Sequence, residues 1–88
     1  MAAGKRVKAI KAPAFNTPLS VDSIGRFIKA KRTQEGLSTQ DAAMLCGVSA
    51  HTFNNIENGI AGMKMQTVLT ICQSLGIQLQ IAPWEENL

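Results

Sequence analysis

One histidine, two cysteines and six carboxylates are the groups in this chain able to serve as base, nucleophile or metal ligand. His51 follows Cys46 closely enough to suggest a thiol nucleophile with an imidazole base. On the helical periodicity of this stretch, however, Cys46 faces inward and His51 outward, and no third group orients the imidazole. No His, Cys, Asp and Glu cluster offers the ligand count of a metal site. Cys46 and Cys72 read as small buried hydrophobes rather than a disulfide framework. An enzyme, a metal centre and a bound cofactor are therefore not expected. What remains around His51 is a set of uncharged polar side chains, Ser49, Thr52, Asn54 and Asn55. Their chemistry is hydrogen bonding, which serves recognition rather than bond making.

Such a set recognises something only if it is held rigidly. Phe53 and Ile56, at i, i+3 spacing, turn inward on a short helix capped by Ser49 and closed by Asn58 and Gly59, which leaves His51, Thr52, Asn54 and Asn55 on the other faces. Before it, Ser38 and Asp41 resemble a capping box that opens an apolar stretch of about two turns, Ala42, Ala43, Leu45 and Cys46, ended by Gly47. Two helices meeting at a tight angle need a small residue at the crossing, a glycine with positive φ in the turn, and apolar residues to lock the second onto the first. Ala43, Gly47, Val48, Phe53 and Ile56 supply these in order. The simpler alternative is a helical hairpin that only packs.

Further helices flank this pair. Ser20 and Asp22 are cap-type residues, Val21, Ile24, Phe27 and Ile28 share a helical face, and Gly36 supplies the stop. Met65, Val68, Leu69, Cys72 and Leu75 form the stripe of a fourth helix ended by Gly76. Ile77, Leu79 and Ile81 then alternate with Gln78, Gln80 and Ala82 up to Pro83, the period of a strand. That strand has no partner in its own chain, so it either pairs with a second copy, giving a two-fold homodimer, or folds back over the fourth helix.

Eighty-eight residues suffice for one domain. The expected organisation is a flexible basic arm over 1–19, a domain over 20–76 and a dimerisation strand with tail over 77–88. Of the net charge of +3, the arm holds Lys5, Arg6, Lys8 and Lys11, which leaves residues 20–88 with five bases against six acids. Attraction to phosphate must then come from the arm and from a cluster at Lys29, Lys31 and Arg32. No apolar run reaches the roughly 18 residues of a membrane span, and no leader is evident. A soluble, cytoplasmic protein is expected.

The segment LSTQDAAMLCGVSAHTFNNIENG resembles the helix-turn-helix of the lambda and 434 repressor and Cro proteins, the Xre family, over about Ile24 to Leu75. The resemblance implies an all-α, four- to five-helix lambda-repressor-like DNA-binding domain whose third helix enters the major groove. By position it makes Ser49 a phosphate-contacting cap and puts Ala50, His51 and Thr52 where side chains reach base edges. Asn54 and Asn55 follow, Asn55 one turn along. Asn can bond adenine twice, and the Ala50 and Thr52 methyls can meet thymine methyls. Where the family has Gln clamping phosphate, this chain has Thr39 followed by Gln40, either of which can make that contact. Arg32 and Glu57 match positions that pair beneath the third helix.

The four-helices-then-strand order, with ENGIAGMKMQTVLTICQSLGIQLQI, is similar to antitoxins of the HipB type. Such a resemblance implies dimerisation through Ile77, Leu79 and Ile81, repression of the protein's own operon at a palindromic operator, and a HipA-type kinase toxin as partner. Two other readings stand beside it: a module that neutralises a toxin and binds DNA only secondarily, and a general Xre-type repressor with no toxin. Trp84 in the acidic tail either anchors a protein partner or packs on the fourth helix.

Overall fold

The computed structural model describes residues 7–88, and Met1–Arg6 of the expected arm lie outside the described residues. Among the described residues four helices follow one another: α1 (Val21–Gln34), α2 (Thr39–Cys46), α3 (Ala50–Glu57) and α4 (Met65–Leu75). The fold is the all-α arrangement the sequence implies. Serines start the first three. Ser20 and Ser23 form a reciprocal capping box at α1, while Ser38 and Ser49 accept from the third backbone N–H of α2 and α3. Each cap satisfies a donor that helix geometry leaves without a partner and contributes about 1 kcal/mol. Lys64 precedes α4 and makes no side-chain cap.

The core sits where α1 and α2 both pack against α3 and α4. Ile28, Phe53, Ile56, Ile71 and Cys72 are its largest fully buried side chains. Burying each of the larger apolar ones is worth roughly 1.5–3 kcal/mol. Cys46 and Cys72 are free thiols inside this core. Burial, reinforced by repulsion from Cys46, pushes the Cys72 thiol from its usual 9.0 up to about 11. An unfolded chain gives up that proton first, so the folded state binds more protons between those two values, and stability falls as pH rises through the window. Between pH 8 and pH 10.5 the loss attributable to Cys72 should be roughly 2 kcal/mol, read as a lowered urea midpoint that Cys72→Ala largely abolishes.

Residues 7–19 lie along α1. The Ile10 N–H donates to Thr33 Oγ1 at 2.9 Å, Gln34 Nε2 donates to the Ile10 carbonyl at 2.9 Å, and the Phe15 ring stacks on Phe27 with centroids 6.0 Å apart. At the other end, the strand expected over Ile77, Leu79 and Ile81 is not formed. No strand occurs among the described residues. A ladder needs a second strand, and one chain has none to give. The alternation survives as burial: Ile77 and Leu79 pack against the edge of the core, Gln78 and Gln80 are exposed, and Ile81 is 82% exposed. Among the described residues no helix is long and apolar enough to cross a membrane.

Candidate nucleic-acid interface

The turn between α2 and α3 is built as the sequence requires. Gly47 closes α2 in the left-handed region, φ 72°, where a side chain would strain the backbone. Ala42 and Ala43 are buried where the helices approach, and Val48 packs on the core edge. Phe53, Ile56 and Glu57 are the buried side of α3. Ala50, His51 and Asn54 are exposed, and Thr52 and Asn55 half-buried, so the polar set occupies the helix surface opposite the core. The Ser49 hydroxyl accepts from the Thr52 N–H at 3.0 Å and donates to Thr52 Oγ1 at 3.0 Å, which caps the start of the helix. One turn along, Asn55 Nδ2 lies 3.3 Å from His51 Nε2. Thr39, half-buried, and Gln40, exposed, occupy the first turn of α2, whose leading N–H groups face away from any intrahelical partner.

Beneath α3 lies a charged clamp. Arg32 donates through Nε and Nη2 to the two carboxylate oxygens of Glu57, and through Nη1 to the Leu37 carbonyl at 2.8 Å. Both side chains are almost fully enclosed, 9% and 4% exposed. A planar guanidinium meeting a carboxylate along both N–H edges fixes orientation as well as distance. It ties the end of α3 to α1 and to the turn that leads into α2. The pair is thus internal scaffolding and not a solvated surface contact.

This clamp corrects the expected phosphate-binding cluster at Lys29, Lys31 and Arg32. Arg32 is consumed by Glu57, and Lys31 pairs with Glu35 at 3.0 Å one turn on. Lys29 is exposed. The sequence registers three cations within four residues, but helical spacing sends them in different directions. Trp84 is 70% exposed. Among the described residues no group of three or more His, Cys, Asp or Glu side chains is placed to hold a metal ion.

A second positioning residue escapes sequence reading. Gly25 is buried in the middle of α1, where α3 ends against it. A Cβ there would lie 2.5 Å from the Glu57 carbonyl oxygen and 2.6 Å from that of Ile56, both rigid backbone atoms. Gly25→Ala should therefore cost about 1–3 kcal/mol in a urea titration, although alanine is the better helix former by about 1 kcal/mol. The available signal was a glycine kept inside an otherwise good helix.

No curated protein sequence matches this chain. Among solved structures, HipB in an O1–O2 complex superposes with a TM-score of 0.71 at 25% identity, covering 78% of this chain and 100% of that one. HipB in a HipA–HipB–O2–O3 complex gives 0.70 at 24% identity, covering 81% and 100%. The clp gene regulator ClgR from C. glutamicum gives 0.60 at 21% identity, covering 70% and 80%. These likenesses establish a fold shared with transcriptional regulators. A family model described as a helix-turn-helix domain matches residues 23–80, most of the chain and the whole of the unit built above, and the chain therefore belongs to the helix-turn-helix domain family, in its Xre-like form.

Proposed function

We propose that this protein is a sequence-specific repressor that acts as a homodimer on a palindromic operator and represses its own operon as an antitoxin of HipB type. The observation that carries the reading is the division of α3: its apolar and charged residues are locked into the core, and what faces outward is small or hydrogen-bonding. In this reading α3 lies in the major groove, with Ala50, His51, Thr52, Asn54 and Asn55 toward base edges. Ser49, Thr39 and Gln40 sit against phosphates. Ile77, Leu79 and Ile81 pair with the same segment of a second copy, which supplies the ladder that one chain lacks. The protein works in the cytoplasm, needs no cofactor and catalyses nothing.

Fluorescence anisotropy on the duplex immediately upstream of the protein's own gene tests this. Its affinity should exceed that for a scrambled duplex by at least roughly a thousandfold at physiological salt. Equal affinities would defeat the claim of sequence specificity.

Toxin neutralisation as the primary task is a second reading, favoured by the exposed Trp84 beside Glu85 and Glu86 and by the fold shared with HipB, which has been solved together with HipA. Co-purification with the product of the adjacent gene decides it. A neighbour with no kinase-like motif removes the toxin partner and leaves a general Xre-type repressor.

A further inference from the structure

From the His51–Asn55 contact we infer that His51 is a positioning residue for base recognition, fixing which end of the Asn55 amide meets the DNA. The inference rests on the proposed DNA reading by α3. His51 and Asn55 are one helical turn apart on the outward surface, with Asn55 Nδ2 3.3 Å from His51 Nε2. An amide nitrogen carries hydrogens and no free lone pair, so with the His51 imidazole protonated on Nδ1 the amide donates and Nε2 accepts. That arrangement consumes one of the two Nδ2 hydrogens. Left over are the other N–H and both lone pairs of Oδ1, one donor beside one acceptor. Adenine presents the complementary pair in the major groove, N7 accepting and N6–H donating.

In that tautomer, rotating the amide by half a turn would set Oδ1 against the lone pair of Nε2, two acceptors facing each other. His51 thus holds the Asn55 amide in the orientation that matches adenine, and no torsion has to be frozen when DNA arrives. Ser49 and Thr52, the other polar pair in the first turn, bond to each other and to backbone, so they do not compete for the amide. His51 acts through Asn55 and need not touch a base.

The test uses the full chain and a pool of duplexes of about 24 base pairs with randomised interiors, long enough for two half-sites one helical turn apart. The pool is sequenced before and after capture, and the readout is the preference for adenine over the other bases at the position most affected by Asn55→Ala. A ratio between bases is unmoved by loss of folded protein, so a merely structural role for His51 would leave it intact. Asn55→Ala should reduce the preference by about tenfold or more. His51→Ala should reduce it about three- to tenfold. His51→Gln, which restores an acceptor, should recover most of it, and His51→Ala should change little once Asn55 is alanine.

Three results would overturn the inference. If His51→Ala leaves a preference that Asn55→Ala destroys, the positioning role falls while base reading by α3 stands. If the two losses multiply in the double variant, His51 reads a base directly. If Asn55→Ala shifts no position at all, the inference falls together with the reading of Asn55 on which it rests.

Discussion

Glu57→Ala is expected to destabilise the domain by about 3–5 kcal/mol. The carboxylate takes two N–H bonds from Arg32 in a site where both side chains are nearly sealed from water. Removing it strands a guanidinium that cannot give up its proton, with the Leu37 carbonyl as its one remaining acceptor from the clamp. In a domain of this size each kcal/mol moves the melting temperature by about 4–8 °C, so the drop seen by circular dichroism should be roughly 12–40 °C. Glu57→Gln separates charge from shape, since its amide still accepts once but leaves the positive charge unbalanced. Replacing both partners at once, Arg32→Met with Glu57→Leu, should recover much of the loss, because the cost lies in an unpaired buried charge and not in the absence of an ion pair. A loss below about 1 kcal/mol in Glu57→Ala would mean that the pair is solvated and holds nothing in place.

Leu79→Pro is expected to weaken binding to the upstream duplex by roughly a hundredfold or more while leaving the melting temperature of the helical domain nearly unchanged. Proline removes the Leu79 N–H from any ladder and disrupts pairing between copies. Leu79 lies at the edge of the core and not within it, so α1 to α4 should tolerate the change. Coupled half-sites exceed the affinity of one by roughly 10²–10⁴ through effective concentration alone. With residues 20–88 carrying five bases against six acids, and Arg32 and Lys31 already paired with Glu57 and Glu35, a lone copy has little general attraction to phosphate beyond its basic arm to fall back on. Light scattering should show half the parent's mass. Unchanged mass and unchanged affinity would remove the C-terminal segment from DNA binding altogether.

The features legible in the sequence are those set by neighbours along the chain. Serine caps at 20, 38 and 49, the left-handed Gly47 and the inward spacing of Phe53 and Ile56 are local determinants, and each sits in the structure where its type demands. The exposed surface of α3 follows as the remainder of that spacing. Features that depend on distant partners were less accessible. Arg32 reads both as one of three clustered cations and, through the family resemblance, as the partner of Glu57, and only the fold that brings Glu57 against it from 25 residues later decides between the two. Gly25 looks like a weakness in α1 until the carbonyls of Ile56 and Glu57 arrive above it. Ile10, in a stretch with no periodicity, is held through backbone bonds to Thr33 and Gln34 that composition does not encode. For 77–82 the alternation was legible and the choice between pairing with a second copy and folding back was not, because a strand exists only with a second strand beside it.

The most direct test of DNA reading by α3 is an NMR titration of the full chain with the upstream duplex, following backbone amide resonances at physiological salt. The largest perturbations should fall on residues 49–55 and on Thr39 and Gln40, with the buried positions of α4 little changed. Perturbations centred on α4 or the C-terminal tail, with residues 49–55 unmoved, would contradict it.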